Sequence, residues 1–231
     1  PVDDYAEDLC VFAFRQGDGC SQKACPSDAP KELRQFALNG SSGSNANERY
    51  GGTYDGPEAR RDRMLDIAEL YFDTVGGIIE ATDCDIVGHF DLITKFTEGW
   101  GFDPVGNVIK YCGCGADGSV APLVDTTAER YIAAWKAAID RIFDDCAERY
   151  KNGYRNRLET LGVLQAGDKP VFEINTGAIS KGYRTAPYPA ADQIDYIKSK
   201  GGVLILSSDS HAAGTICGSF TEYACQETHY R

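Results

Sequence analysis

The sequence predicts an α/β protein with parallel strands and flanking helices. After Asp55, segments with helical periodicity alternate with short apolar segments of strand character, and this alternation is typical of right-handed βαβ units. Three of the apolar segments also end in polar residues, as expected where the carboxyl ends of parallel strands form a site. The 231 residues suit one large domain, and a hydrophobic content of 42% supplies enough side chains for its core.

Three segments have the residue spacing of amphipathic helices. The first begins at a helix-start signal in residues 55–58 and weakens at Gly76-Gly77. Its apolar face comprises Met64, Ile67, Ala68, Tyr71, Phe72, Val75 and Ile79. The second follows a capping-box pattern at residues 126–129 and extends to about Tyr150. Its apolar face comprises Ile132, Trp135, Ile139, Ile142, Phe143 and Cys146. The third covers residues 189–200, with Ile194 and Ile197 buried and Gly201 closing it.

Short apolar runs predict the strands. Residues 86–87, 171–176 and 203–206 indicate buried strands, and residues 9–14 indicate a further one. Residues 15–52 are polar and predict a loop insertion with a short helical turn at residues 31–36. Residues 94–124 are expected to be mostly loop, residues 151–168 a connection with one helical turn, and residues 215–231 the start of a helix.

Charge and composition exclude some classes of partner. The formal net charge is −12 and no basic stripe exists, which argues against nucleic acid or a membrane as a partner. A small phosphorylated metabolite remains compatible, because a metal ion can supply positive charge locally. Nine scattered cysteines, with the Cys112-Gly-Cys114 pair lacking a second pair at zinc spacing, favour reduced thiols and a cytoplasmic location. The oligomeric state is not determined by the sequence.

Polar pairs end three of the predicted strands. They are His89 with Asp91, Glu173 with Asn175, and Asp209 with His211. Side chains two residues apart on a strand point to the same face, so each pair is expected to face one space. A carboxylate and an imidazole in one space suit metal binding or proton transfer. Each pair alone is equally compatible with a structural polar cap, but three strand ends together favour a site.

The same three places resemble successive blocks of a known family. Gly88-His-Phe-Asp-Leu-Ile93, Phe172-Glu-Ile-Asn-Thr-Gly177 with Pro187-Tyr-Pro189, and Ser207-Ser-Asp-Ser-His211 are similar to blocks of the PHP (polymerase and histidinol phosphatase) superfamily. Their order and spacing resemble most its histidinol-phosphate phosphatases, from about Gly51 to Phe220. The resemblance implies a distorted seven-stranded (β/α)7 barrel. It also implies hydrolysis of L-histidinol phosphate to L-histidinol and phosphate in histidine biosynthesis.

The resemblance also implies roles for individual residues. It implies up to three divalent metal ions (zinc, manganese or iron), with one ion each bound by His89, Asp209 and His211. Asp209 and His211 are also the catalytic candidates, because either side chain can move protons. The candidates for substrate contacts are Asn175, Lys95, Lys181 and Arg184, and for the three cations a solvated surface role stays open. Asp91 and Glu173 are expected to orient the metal ligands.

The chain departs from the family pattern in one respect. The family begins with an H-x-H pair, whereas this sequence has only three histidines, His89, His211 and His229, and no H-x-H. We therefore expect a fragment that lacks the amino-terminal strands and the end of the last helix, and that is itself weakly active. The alternatives are a PHP phosphoesterase acting on another metabolite and a non-catalytic PHP remnant. His229 matches no block and is expected at the surface.

Overall fold

The computed structural model describes residues 56–95, 97–102, 108–110, 121–182 and 184–224. These residues form seven α-helices and five strands, the latter in one three-stranded and one two-stranded sheet. They fall into two compact units, one drawn from residues 1–71 and 92–132 and the other from residues 72–91 and 133–231. The predicted strand at 9–14, the polar loop at 15–52, the Cys112-Cys114 pair and His229 lie outside the described residues. The single-domain organisation stays a prediction.

The first predicted helix is confirmed, and its glycine pair divides it. Helix α1 spans Gly56–Gly76, and helix α2, Ile78–Thr82, follows after one residue. Asp83 ends α2 in a left-handed conformation with φ of 54°, and its N–H donates to the carbonyl of Ile79. Every residue of the predicted apolar face is buried, from Met64 to Ile79. The three-and-four spacing therefore identified the core side correctly.

The stretch predicted to be mostly loop contains three short strands. They are β1, Trp100–Phe102, β2, Val108–Lys110, and β3, Ala121–Pro122. They form an antiparallel sheet in the order β2-β1-β3, in which Gly101 is paired with Ile109 and with Pro122. Strands of two or three residues are too short to produce a recognisable alternation of apolar and polar residues, so the sequence pattern did not reveal them.

The second long helix begins later than predicted. Helix α3 spans Glu129–Lys151, so the capping box expected from Thr126 to Glu129 was wrong. Instead, the Asp125 carboxylate accepts hydrogen bonds from the Thr127 N–H at 3.0 Å and from its hydroxyl at 2.7 Å. The predicted apolar face is largely confirmed, because Trp135, Ile139, Ile142 and Phe143 are all buried. The expected extra turn after it is helix α4, Arg157–Thr160.

A parallel strand pair organises the second unit. Strand β4, Val171–Asn175, pairs in parallel with β5, Val203–Ser207, in a register that sets Asn175 beside Ser207. Helices α5, Gly177–Ser180, and α6, Ala191–Ser199, connect the two strands. The mixed α/β class and the parallel pairing are thereby confirmed, in a sheet of two strands among the described residues. Helix α7, Phe220–Tyr223, lies within the predicted last helix.

Val87 extends this pairing on the opposite edge of β4. It forms a single parallel bridge with Phe172, through Val87 N–H to Val171 O at 2.8 Å and Glu173 N–H to Val87 O at 2.9 Å. On the β5 edge, by contrast, the carbonyl of Pro170 accepts from Val203 at 2.9 Å. Since successive backbone groups of a strand alternate between its neighbours, β4 lies between Val87 and β5.

Apolar side chains pack on both faces of β4 and stabilise the second unit. Val171 and Val203 pack with Leu164 and Ala166 in one buried cluster. Phe172 is fully buried, and its ring centroid lies 5.7 Å from that of Phe90 and 6.5 Å from that of Phe143. Burial of each such side chain stabilises the fold by roughly 1.5–3 kcal/mol. β4 is therefore a rigid base for the polar residues at its carboxyl end.

At the amino end of the sheet, Asp85 forms hydrogen bonds with the segment that follows α3. Its carboxylate accepts hydrogen bonds from the Tyr154 hydroxyl, the Arg157 guanidinium and the Arg157 N–H, while its carbonyl accepts from Asn156 Nδ2 at 2.7 Å. Burial raises the pKa of Asp85, but the hydrogen bonds from Tyr154 and Arg157 outweigh it, so the net pKa lies below the usual 3.8. A carboxyl with a lowered pKa stabilises the fold at pH values above 3.8.

We predict that Asp85→Asn lowers the free energy of unfolding by about 1–2 kcal/mol at pH 7, because charge-assisted hydrogen bonds are lost. The difference from the unmodified chain should shrink as the pH falls below 3.8 and through the lowered pKa, where the native carboxylate becomes protonated. Urea unfolding at pH 7 and at several acidic pH values measures both effects. Asp168→Asn, at a half-exposed carboxylate paired with Lys169, is the control and should change stability little.

Candidate functional site

His89 lies at the edge of the sheet, held by two residues of β4. Its backbone N–H donates to Glu173 Oε2 at 3.2 Å, and its ring Nδ1 lies 3.5 Å from the same oxygen. Its Nε2 lies 3.0 Å from Asn175 Nδ2, which can only donate. Both neighbours favour the tautomer with hydrogen on Nδ1 and a lone pair on Nε2. This is the tautomer in which Nε2 can bind a metal ion or accept a proton.

Asn175 is itself rigidly held at the end of β4. Its side chain is fully buried, and its Oδ1 accepts from the Gly177 N–H at 2.8 Å. Its backbone exchanges two hydrogen bonds with Tyr188, at 2.7 and 3.0 Å. The direction of the Asn175 amide is thereby fixed, so its contact with His89 is preorganised.

Asp209 lies just beyond the end of β5 and contacts three basic side chains. Its Oδ2 lies 2.7 Å from Lys181 Nζ and 3.8 Å from His89 Nε2, and its Oδ1 lies 3.3 Å from His211 Nε2. Burial raises the pKa of Asp209, but the hydrogen bond and charge of Lys181, together with smaller contributions from His89 and His211, outweigh it, and the net pKa lies below its usual range. Asp209 is therefore ionised at neutral pH.

The predicted metal ligands are thus brought together by the structure. His89 and His211 flank the two oxygens of one carboxylate, although 122 residues separate His89 from His211 in the chain. The His211 side chain is 77% exposed, whereas that of His89 is 36% exposed. The cluster is therefore open to solvent on the His211 side, where a small ligand has access.

Asp91 and Arg184 form a second, buried pair. The Arg184 guanidinium lies 3.1 Å from Asp91 Oδ2, and the two side chains are only 8% and 1% exposed. Arg184 also stacks on the Tyr188 ring, with its central carbon 4.5 Å from the ring centroid, and the His89 ring lies 6.0 Å from the same ring. Burial raises the pKa of Asp91 more than Arg184 lowers it. A solvated surface role, left open from the sequence, does not apply to Arg184.

Lys95 lies in the first compact unit, whereas His89 and Asp209 belong to the second. It follows a short 3₁₀ turn, Leu92–Thr94, and its N–H donates to the Leu92 carbonyl at 2.8 Å. Its substrate-binding role stays a prediction.

Sequence reasoning missed two residues that shape the site, Gly177 and Tyr188. Both residues belong to the segments that resemble the PHP superfamily, but the sequence pattern assigned no role to either of them.

The backbone is strained at two of the candidate ligands. His89 has φ of 51° and Asp209 has φ of 42°, in the left-handed region that non-glycine residues adopt at an energetic cost. Close approaches surround both residues. A Cβ on Gly88 would lie 2.8 Å from Glu173 Oε2, and one on Gly177 would lie 2.9 Å from Asp209 Cβ. Such strain is commonly found at functional sites, where the surrounding structure enforces it.

Two pairs of residues, Asp209 with His211 and Asp209 with His89, have the types and the spacing of ligands that share a divalent cation. Ligands of one tetrahedral zinc ion are separated by roughly 3.4 Å, given bonds of about 2.1 Å. The Asp209–His211 and Asp209–His89 distances of 3.3 and 3.8 Å are close to this value. The described residues contain no group of three or more such side chains already placed to hold an ion. Lys181 contacts the oxygen that His89 would share, so full coordination requires that side chain to move.

A separate cavity lies at the opposite, amino end of β4. Its lining includes Cys84, Cys146, Arg149 and Val171 but none of the predicted site residues. Burial raises the pKa of the Cys146 thiol to about 11, so this thiol is protonated at neutral pH and is a poor nucleophile. The candidate metal ligands His89, Asp209 and His211 lie instead at the carboxyl end of the sheet.

Comparison with known proteins gives no assignment: no protein-family model, curated protein or solved structure matches this chain. Within the described residues, no helix combines the length and the apolar character needed to cross a membrane.

The strain at Asp209 leads to a stability prediction. Asp209→Gly should be more stable than Asp209→Ala by about 1 kcal/mol, because glycine adopts a φ of 42° without steric cost. At Asp192, in the first turn of α6, the same two substitutions should show the reverse order by a similar amount. Urea unfolding of the four variants measures both differences. Alanine proving the better replacement at both positions would show that Asp209 is not strained.

A second prediction concerns the close approach at Gly177. In Gly177→Ala the new methyl group would lie 2.7 Å from the Ser208 carbonyl oxygen and 2.9 Å from Asp209 Cβ. We expect a loss of about 1–3 kcal/mol in unfolding free energy and shifted amide resonances for residues 207–211, because the turn must move. Gly214→Ala is the control, since no heavy atom beyond its own residue and its two chain neighbours lies within 4 Å of the new methyl group. Equal stability of the two variants would contradict the tight contact.

Proposed function

We propose that this chain catalyses metal-dependent hydrolysis of phosphomonoesters as a PHP-type enzyme. The substrate we favour is L-histidinol phosphate, which would be converted to L-histidinol and phosphate in histidine biosynthesis. The observation that carries the proposal is the meeting of His89, Asp209 and His211 at the carboxyl edge of a parallel strand pair, with separations of 3.8 and 3.3 Å around one carboxylate.

The arrangement at His89 supports a ligating role. Glu173 contacts Nδ1 and Asn175 contacts Nε2, so the ring is oriented from both sides with Nε2 next to Asp209. A carboxylate behind a ligating imidazole is the usual means by which proteins fix its tautomer and increase its basicity. In the proposed enzyme, His89 and Asp209 bind the cation and Glu173 orients His89 through Nδ1, while the Asn175 amide would give up its contact with Nε2 to the cation.

The exposed position of His211 supports a role for this residue in proton transfer. His211 Nε2 is 3.3 Å from Asp209 Oδ1, and the imidazole is largely open to solvent. An imidazole whose Nε2 faces a carboxylate can hold a proton at Nδ1 and deliver it to the departing alkoxide of a phosphomonoester, while the carboxylate balances its charge. When bound, divalent metal ions supply an activated water near neutral pH and positive charge for the phosphoryl oxygens.

The charge of the chain limits how a phosphate is attracted. A net charge of −12 repels anions at long range, so nearby cations must provide the attraction. Arg184 is buried and paired with Asp91, whereas the Lys181 side chain is 30% exposed at the cluster. We therefore assign the phosphate contact to Lys181 rather than to Arg184, and we place Arg184 among the residues that hold Tyr188.

The assay measures release of inorganic phosphate from histidinol phosphate, glycerol phosphate and p-nitrophenyl phosphate, with Mn²⁺, Zn²⁺ or Fe²⁺ added to chelator-treated protein. Because the sequence lacks the H-x-H of the family, we expect weak turnover that requires metal and is fastest with histidinol phosphate. His89→Asn and Asp209→Asn should each lower kcat/KM by about 10²-fold or more, since each removes a proposed ligand. Asp168→Asn, outside the cluster, should leave the rate unchanged.

Three outcomes would revise the proposal. Hydrolysis that persists in chelator, or in Asp209→Asn, would contradict a metal site at this carboxylate. Faster turnover of another ester would retain the reaction and change the substrate. Metal binding without any turnover would indicate the non-catalytic alternative.

A further inference from the structure

Lys181 occupies a position that matters for any cation at Asp209. It ends helix α5, and its N–H donates to the Gly177 carbonyl at 3.0 Å, so its backbone is fixed by the same segment that packs against Asp209. Its ammonium lies 2.7 Å from Asp209 Oδ2, which is the shortest of the contacts between Asp209 and its basic neighbours. The ion pair therefore involves the carboxylate oxygen that faces His89.

Two cations cannot share that oxygen without strong repulsion. His89 Nε2 lies 3.8 Å from the same Asp209 Oδ2, so an ion bound by these two ligands would lie within a few ångströms of the ammonium. Repulsion between charges at such short distances is large even in a partly hydrated site. Because the Lys181 side chain is long and 30% exposed, its ammonium can leave Asp209 for solvent without disturbing packed residues.

We propose that Lys181 is a built-in competitor that sets the metal affinity of this site. The ammonium neutralises Asp209 and must be displaced from Oδ2 before a divalent cation binds there with His89. The intrinsic affinity of the ligands is thereby reduced by the free energy of the Lys181–Asp209 ion pair, which makes metal occupancy reversible and dependent on metal concentration. This inference rests on the proposed metal-dependent function and assigns a regulator of that same site.

The test is calorimetric titration of chelator-treated full chain with MnCl₂, with no substrate present. Lys181→Met should bind Mn²⁺ at least about tenfold more tightly than the unmodified chain, because repulsion and competition are both removed. Lys181→Gln, a second neutral variant, should behave in the same way. Lys181→Arg keeps the charge and should stay within about twofold to threefold of the unmodified affinity.

Lys151→Met is the matched control. It removes the same charge from an exposed lysine on α3 that is paired with Glu148 at 3.4 Å, and it should leave Mn²⁺ affinity unchanged. Equal gains in Lys151→Met and Lys181→Met would mean that net charge alone is responsible and would overturn the inference. Unchanged or weaker binding in both neutral Lys181 variants would also overturn it, the latter by showing that Lys181 supports the ligands.

The failures of the two proposals can be told apart. If the unmodified chain binds Mn²⁺ and hydrolyses phosphomonoesters while the Lys181 variants match its affinity, only the competitor role is lost. If neither the unmodified chain nor the Lys181 variants bind Mn²⁺, the metal-dependent function is lost as well. Circular dichroism spectra identical to that of the unmodified chain establish that the variants are folded.

Discussion

The parallel register of β4 and β5 is the constraint on which the rest of the site depends. It sets Asn175 beside Ser207, so the two strands end at the same edge and the residues that follow them are neighbours. The bridge from Val87 to Phe172 places His89 at that edge as well, from the opposite side of β4. Three segments far apart in the chain therefore supply one cluster without a long connecting loop.

The stability of β4 makes the strain of this cluster possible. Left-handed backbone at His89 and Asp209 costs free energy, and the close approaches at Gly88 and Gly177 leave little room for adjustment. The buried apolar packing around Phe172 keeps β4 in place despite this strain, because the strand cannot shift without exposing its side chains to water. The polar cluster is thus held in place by its apolar support as well as by its own hydrogen bonds.

The electrostatics of the site are organised around one carboxylate. Asp209 lies among one ammonium and two imidazoles, in a chain whose net charge is strongly negative. Its contacts with Lys181 and His89 involve the same oxygen, so the proposed cation would compete with Lys181 for that atom. The second basic candidate, Arg184, is committed to Asp91 and stacks on Tyr188, which fixes the surroundings of His89.

Local patterns in the sequence were sufficient for the elements that depend on local physics. The three-and-four spacing from Met64 to Ile79 identified the buried face of α1 and α2, and the apolar runs at Val171 and Val203 identified the parallel strands. Of the polar pairs, Glu173 with Asn175 and Asp209 with His211 marked residues that the structure brings together around His89, whereas Asp91 pairs with Arg184 instead. The buried faces follow from helical and strand periodicity. Asp209 and His211 lie beyond the end of β5, where Asp209 has left-handed backbone, so strand alternation does not explain their contact.

Other features depended on partners distant in sequence, and only the tertiary structure decided them. The short strands β1 to β3 exist because they pair with one another, and no run of two or three residues reveals such pairing. The sequence marked Lys181 and Arg184 as equivalent cations, whereas folding buries Arg184 against Asp91 and leaves Lys181 at Asp209. Periodicity determines which face of an element is buried, but the partner of a charged side chain is set by which elements pack together.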